Sequence, residues 1–412
     1  MAESEVIAGL DIGSDSIRVL VAEYNEKGEL VVSGWGESRS EGLRKGVVVN
    51  IEAAREAVIN AVEAAEHEAG RTVTELWCSL GGAAVSSMHS RGVVAVSGKN
   101  REISHLDVDR VLEAAKAVVI PMDRDILHVL PQEYIIDDQR GVRNPLDMIG
   151  VRLEAEVLIV TASLSALKNL EKAVERADYR IGDAVLGTLA SARAILTEDE
   201  KELGVLLVDI GSNSTDFILI KDGAPRFSGS VPLGGSVVTS DISIVLKTSA
   251  ESAEHIKINS GTCWVPLAEK DGRVIIPGVG GREPVTVSSE DVAVILQARM
   301  EEIFNMIKKQ ISGIPGLNPL HGGVVLCGGG SMLKGSVELA TDVFGFPARM
   351  GKPGGNIQWP SYSRDGRWVA AAGLIMLGDA VGRGSEDRDS SGMFSEETNI
   401  FNAFFKWLRE FF

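Results

Sequence analysis

These 412 residues point to an α/β fold built from two related lobes. Three observations carry that expectation. The stretch "EVIAGLDIGSDSIRVLVAEY" recurs about 200 residues later as "ELGVLLVDIGSNSTDFILIKDG". Each copy has an apolar β-branched run, then Asp-Ile-Gly-Ser, then a second apolar run. Helical stretches alternate with strand-like ones along the chain, as in sheets covered by helices. A third turn, "VVLCGGGSMLKG" (residues 324–335), leads from a buried strand through three glycines to a helix. Chance recurrence of a glycine-turned hairpin is the competing reading, and the matching flanking strands count against it.

The length suits about two or three compact domains. A net charge of −17 leaves no evident basic face for a phosphate backbone, so nucleic acid is not an expected partner. The acidity reads as solubility. Cys78, Cys263 and Cys327 lie far apart in no metal-ligand spacing and read as reduced thiols. The start of the chain has no basic region followed by an apolar run, so no signal peptide is expected. No apolar run of about 18 residues is present to span a bilayer.

Taken in order, the first turn holds Asp11, Gly13, Ser14, Asp15 and Ser16. "EAAREAVINAVEAAEHEAG" has helical periodicity and a terminal glycine. A small inserted unit follows, read as strand, helix, strand and strand. "SALKNLEKAVERADY" is a further helix. The second turn holds Asp209, Gly211, Ser212, Asn213, Ser214, Thr215 and Asp216, and "SEDVAVILQARMEEIFNMIKKQIS" is a long helix beyond it. From Gly382 to Thr398 the chain is glycine, serine and charge with little to bury, which reads as a flexible linker.

The two Asp/Ser/Gly hairpins can offer backbone N–H groups and hydroxyls to a phosphate chain from opposite lobes. Asp11 and Asp209 end their strands, where carboxylates could hold hydrated Mg²⁺. The third turn, with Gly328, Gly329, Gly330 and Ser331, could cup a base and ribose. Glu254 and Lys257, three apart on one helical face, suit ribose hydroxyls, with an ordinary exposed ion pair as the alternative. Gly98-Lys99 and Gly351-Lys352 lack the spacing of a Walker A loop. No zinc-protease, Cys-x-x-Cys or nucleophile-elbow motif is present. Phosphate chemistry therefore rests on the three turns, and no catalytic residue is assigned.

"GLDIGSDSIR", "LLVDIGSNSTDF" and "VVLCGGGSMLKG" resemble, in this order, the first phosphate, second phosphate and adenosine motifs of the actin/Hsp70/sugar-kinase ATPase superfamily. "DAVLGTLASARAIL" and "WVAAAGLIML" look like its two connecting helices. Within that superfamily, four segments resemble the FtsA family of bacterial cell-division proteins: "ILHVLPQEYIIDDQRGVRNPLDMIGVRLEAEV", "GGSVVTSDIS", "AEHIKINSG" and the aromatic tail. The resemblance runs from about Val6 to the C-terminus.

It implies an actin-like two-lobed ATPase fold with a relocated small α+β subdomain. Subdomain 1A would cover 1–85 and 161–204, 1C 86–160, 2A 205–246 and 313–381, and 2B 247–312. A linker over 382–396 and an amphipathic helix over 397–412 would follow. It further implies ATP with Mg²⁺ in the cleft, Gly234 and Gly235 joining the adenosine contacts, and head-to-tail filaments. The FtsZ C-terminal peptide would dock on 2B, where Arg299, Lys308 and Lys309 are candidate contacts or simply solvated cations. Other division proteins would meet 86–160, at the cytoplasmic face of the cytoplasmic membrane. A pilus-type assembly ATPase and a small-molecule kinase are the alternatives on this fold.

Two departures from the family pattern bear on hydrolysis. Gly211-Ser212-Asn213-Ser214-Thr215 stands where a Gly-Gly-Gly-Thr run is usual, which narrows the approach to phosphate. Gly187 stands where an acidic or amide residue often helps to position the attacking water. Both suggest slow hydrolysis or none.

The last 14 residues, "NIFNAFFKWLREFF", hold 6 of the 21 aromatics. Wound as a helix, Ile400, Phe401, Phe404, Phe405, Trp407, Leu408, Phe411 and Phe412 share an arc of roughly 160°. Lys406, Arg409 and the other polar residues oppose it. At about 21 Å such a helix is too short for a bilayer core of about 30 Å, but it can lie in the interface. Docking on its own globular domain is the alternative.

Overall fold

The computed structural model describes residues 6–44, 46–314, 319–354, 357–360 and 365–386. The first repeat forms β1 (Val6–Ile12) and β2 (Ser16–Tyr24), extended by β3 (Leu30–Arg39). A short pair, β4 (Leu43–Arg44) and β5 (Val47–Val48), leads to α1 (Ile51–Ala69). That helix starts where the Asn50 side chain accepts from the Ala53 amide. It stops where Gly70 adopts φ +62°, a left-handed cap that glycine takes without strain. After β6 (Glu75–Leu80) comes the inserted unit: β7 (Val85–Ala95), α2 (His105–Lys116), β8 (Arg124–Ile136), β9 (Gln139–Val142) and β10 (Arg152–Ser163). The chain returns through α3 (Leu164–Glu175), β11 (Arg180–Leu186), α4 (Gly187–Ile195) and α5 (Glu198–Leu203).

The second repeat forms β12 (Val205–Ile210), β13 (Thr215–Lys221) and β14 (Ala224–Val231). Helices α6 (Gly235–Leu246) and α7 (Ala250–Asn259), the hairpin β15 (Arg273–Ile276) and β16 (Val285–Ser288), and α8 (Ser289–Ser312) follow. Then come β17 (Gly323–Cys327), α9 (Ser336–Phe344), β18 (Ala348–Met350) and α10 (Val369–Glu386).

The two lobes share one topology. The first sheet runs β3-β2-β1-β6-β11 and the second β14-β13-β12-β17-β18. Each is an antiparallel three-strand meander continued by two parallel strands. The register matches too: Asp11 faces Arg18 across the first hairpin, and Asp209 faces Asp216 across the second. The recurrence seen in the sequence is therefore a structural repeat. The inserted unit is a separate sheet, β7-β10-β8-β9, with its own core against α2. The short strand β9 is an addition to the expected pattern; at four residues it is too brief to show a period.

The connecting helices α4 and α10 lie between the sheets. Their residues Leu189, Ala190, Ala371 and Leu374 share one core with Leu20 of the first sheet and Leu207 and Val325 of the second. A Cβ on Gly373 would come within 1.8 Å of the Ala190 carbonyl oxygen, so the two helix backbones touch there.

Helix α8 packs Leu296, Met300, Phe304 and Ile307 into the core of the second lobe. One expected boundary differs. Helix α10 runs through Gly382 to Glu386, into the stretch read as linker. Ala380 and Val381 still pack on the core, and that contact outweighs the local cost of a helical glycine, about 1 kcal/mol. The aromatic tail lies outside the described residues. No described helix is long and apolar enough to cross a membrane.

Candidate functional site

The strand ends of the two meanders bring both hairpin turns to one cleft between the lobes. In the first turn the Gly13 amide donates to the Ser16 carbonyl at 3.2 Å; in the second, Gly211 donates to Ser214 at 2.9 Å. The amides of Ser14, Asp15, Ser212 and Asn213 donate to no group among the described residues. Ser14 Oγ accepts from the Gly46 amide at 2.8 Å, which leaves its hydroxyl hydrogen available. Unused N–H donors in two facing turns suit an anionic ligand.

Three half-buried carboxylates stand beside these turns. Asp209 is pushed up to about 7, by burial first and then by the negative charges of Asp11 and Asp216. Burial also raises Asp11, against the Ser79 hydroxyl and Arg18. Asp216 is raised by burial, against neighbouring Ser230, the Gly82 amide and Ser214. Ser79 Oγ donates to Asp11 Oδ1 at 2.7 Å, and Ser191 Oγ to Asp209 Oδ2 at 3.4 Å. Crowded carboxylates in a low-dielectric cleft suit a cation that neutralises them. Among the described residues no three His, Cys, Asp or Glu side chains converge as direct ligands. The donor set therefore fits a hydrated Mg²⁺ held through water by Asp11 and Asp209, and does not fit an all-protein metal cage.

The third turn closes the cleft over the second hairpin. Gly328 has φ +81°, and a Cβ there would lie 2.3 Å from Asp209 Oδ1. On Gly330 it would meet Ile210 Cγ2 at 2.5 Å, and on Gly234 the Gly211 carbonyl oxygen at 2.5 Å. These approaches exclude any side chain. Gly235, at the start of α6, faces both Gly330 and Lys257: its Cβ position is 3.9 Å from Gly330 Cα and 3.6 Å from Lys257 Nζ. Lys257 Nζ donates to Glu254 at 2.7 Å, Thr239 at 2.9 Å and the Gly235 carbonyl at 3.1 Å. Glu254 and Lys257 are thus an ion pair held at this turn, with the Glu254 side chain 44% exposed.

Several assigned side chains serve the turns themselves. The Thr215 hydroxyl is buried and donates to the Leu233 carbonyl at 2.8 Å. Ser331 is buried and donates to the Gly328 carbonyl at 2.7 Å. Asn213 Oδ1 accepts from Ser236 at 2.7 Å, which ties the second turn to α6. Arg299, a candidate peptide contact, is locked to Asp241 through Nε (2.6 Å) and Nη2 (3.0 Å) and also pairs with Glu302. Lys308 donates to the Val343 carbonyl at 2.6 Å. Lys309 makes no side-chain bond among the described residues.

Sequence reasoning missed Ser79, Thr188 and Ser191 as site residues: Ser79 carries no motif, and Thr188 and Ser191 sit in the stretch read only as a connecting helix. It also missed a cavity of ≈ 330 Å³ that continues from the third turn past Met332, Lys334, Glu338, Lys352 and Asp365. The Gly81-Gly82 pair directly after a strand was a readable signal of close backbone approach. The Gly82 amide in fact donates to Asp216 Oδ2 across the lobes at 3.0 Å.

Comparison with known proteins agrees with this geometry. Residues 82–161 match the family described as the SHS2 domain inserted in FtsA, and residues 206–365 match the family described as cell division protein FtsA. The cell division protein FtsA of Borreliella burgdorferi is 44% identical over 372 residues, 90% of each chain. That of Pseudomonas aeruginosa is 41% identical over 376 residues, covering 91% of this chain and 89% of its own. That of Escherichia coli K12 is 33% identical over 385 residues, 91% of each. Among solved structures, a chain of the PilM–PilN type IV pilus biogenesis complex superposes with TM-score 0.62 at 17% identity, covering 90% of this chain and 98% of its own. MreB5 of Spiroplasma citri bound to ADP superposes with TM-score 0.56 at 15% identity, covering 93% and 98%. With two repeated lobes, an SHS2-type insertion and relatives matched along nine-tenths of its length, the chain belongs to the FtsA family of cell-division proteins, on an actin-like fold.

Proposed function

We propose that this protein is an ATP-binding adaptor that polymerises on the inner face of the cytoplasmic membrane and tethers the FtsZ ring to it. The observation that carries the nucleotide part is the pairing of unused hairpin amides with three crowded, half-buried carboxylates in one cleft. The amides of Ser14, Asp15, Ser212 and Asn213 and the Ser14 hydroxyl bind the phosphates. Asp11 and Asp209 orient the water shell of Mg²⁺, which would supply charge neutralisation between carboxylates and phosphates. Gly235, Gly330 and the Glu254–Lys257 pair border the ribose and base. A fold neighbour, MreB5, was solved with ADP and with AMPPNP, which supports the same class of ligand here.

Membership of the family supports the remaining steps. The FtsZ C-terminal peptide meets the face formed by 247–312, where Lys309 is the candidate cation without a partner among the described residues. Further division proteins meet 86–160. The tail, with Phe401, Phe404, Phe405 and Trp407 on one side, lies in the membrane interface. A single such helix binds modestly, so a filament adds avidity by presenting many.

Gly187 leaves no side chain at the usual water-positioning place; its Cβ position sits 3.7 Å from the nearest atom, the Leu80 carbonyl oxygen. Nucleotide therefore acts mainly as a structural ligand of the polymerising state. Steady-state phosphate release at saturating Mg-ATP is expected well below about 1 s⁻¹. Turnover faster than that contradicts the structural-ligand role.

A further inference from the structure

The inserted unit belongs to the first lobe by chain, leaving after β6 and returning through α3, yet it also packs on the second lobe. Strand β14 is the edge of the second sheet and pairs with β13 alone. The bare backbone groups of such an edge need a cover, and two strands of the inserted unit provide it. Ser87 Oγ, on β7, donates to the Ser228 carbonyl at 2.6 Å and accepts from the Ser228 amide at 3.4 Å. Gln132 Nε2, on β8, donates to the Pro225 carbonyl at 2.8 Å and the Arg226 carbonyl at 3.3 Å. His89 Nδ1 lies 3.2 Å from Gln132 Oε1 and holds the amide in that orientation. On the first lobe, the buried His128 of β8 accepts at Nε2 from the Leu186 amide at 2.9 Å, where β11 passes into α4. The unit therefore grips one element on each side of the cleft. Ser230, two residues along β14 from Ser228, stands opposite Asp216, and Asp216 is joined to Gly82 across the lobes. Widening the cleft draws β14 away from α4, and the unit cannot follow both.

We propose that the inserted unit is a latch on the cleft: its docking on β14 holds the two lobes together, and bound nucleotide leaves when it undocks. The release step rests on the nucleotide reading above. The grip on β14 suits a reversible latch. It consists of side-chain bonds to backbone groups, which water replaces on undocking, so each contributes modestly. The bond from Leu186 to His128 is buried and acts as the fixed side of the device. Docking and closure stabilise one another. A protein that binds the β14-facing side of the inserted unit therefore loosens the nucleotide, and nucleotide opposes that protein by the same factor.

The test uses the full chain carrying Ser87→Ala and Gln132→Ala together. Dissociation of a fluorescent ATP analogue, chased with excess Mg-ATP in a stopped-flow instrument, is expected to run about tenfold faster than in the wild type. Arg140→Ala is the control. It removes pairs to Glu133 and Glu156 on the same sheet without touching β14, and wild-type dissociation is expected. A double variant that releases at the wild-type rate overturns the latch. Equal acceleration by Arg140→Ala overturns it too, because any loosening of the unit would then suffice. Lobe separation is read without nucleotide, by energy transfer between dyes on Glu68→Cys in α1 and Asp342→Cys in α9. Both positions are exposed and the three native cysteines are buried. Wider separation in the nucleotide-free double variant supports the latch, and unchanged separation overturns it. A wild-type protein that binds no analogue overturns the nucleotide reading instead, and the energy transfer alone then decides the latch.

Discussion

An Asp209→Asn variant is expected to bind Mg-ATP at least about 100-fold more weakly than the intact protein, roughly 3 kcal/mol. The amide keeps the shape of the carboxylate and its bond to Ser191, so the loss reports charge. The same substitution has the opposite effect on the nucleotide-free fold. Asp209 sits at about 7 in the cleft, against about 3.9 for an aspartate in an unfolded chain. Between those values the unfolded chain has released a proton that the fold retains. Stability of the cation-free protein therefore falls as pH rises from about 4 to about 7, by up to about 1.4 kcal/mol per pH unit from this group. The neutral amide removes that slope. Thermal unfolding across this range, paired with isothermal titration of Mg-ATP at neutral pH, checks both halves. A variant that keeps wild-type affinity would show that Asp209 does not act on the ligand.

Gly373→Ala is expected to be the most damaging single methyl addition in the connecting helices. Its Cβ would sit 1.8 Å from the Ala190 carbonyl oxygen and 2.3 Å from the Ala190 carbonyl carbon. Both are backbone atoms, so no side chain can turn aside. Helices α4 and α10 must separate, and they join the two lobes through one core. Overpacking of this kind costs about 1–3 kcal/mol, and more when backbone must move. Because these helices set how the two turns face each other, Mg-ATP affinity is expected to fall along with stability. Denaturant unfolding of the variant, compared with Gly382→Ala where nothing lies within 4 Å of the added carbon, measures the difference. Equal stability of the two variants would contradict the close helix contact.

The features legible in the sequence were the locally encoded ones. Asp-Ile-Gly-Ser appears twice with strands on both sides, so both hairpins, their aspartates and the lobe repeat could be read from short stretches. Helix α1 was legible from its period and its terminal glycine. The site's long-range partners were not. Ser79 reaches Asp11 because β6 lies beside β1, and Ser191 reaches Asp209 because α4 packs against β12. Ser79 belongs to no motif, and Ser191 sits in a stretch read only as a connecting helix. The backbone partners of the Thr215 and Ser331 hydroxyls, the Leu233 and Gly328 carbonyls, were not legible for a related reason: a hydroxyl near a glycine turn looks like a ligand contact until its partner is known. The end of α10 was misjudged because composition ignores the packing that carries a helix through glycine.

The central proposal is that nucleotide in the cleft and the aromatic tail act together to hold a filament on the membrane. Sedimentation with anionic liposomes tests this most directly, using the intact protein and a truncation after Ser395, each with and without Mg-ATP. The intact protein is expected to pellet with the vesicles, more so with Mg-ATP, while the truncation stays in solution under both conditions. Intact protein that stays in solution, or a truncation that pellets equally well, would contradict the adaptor role.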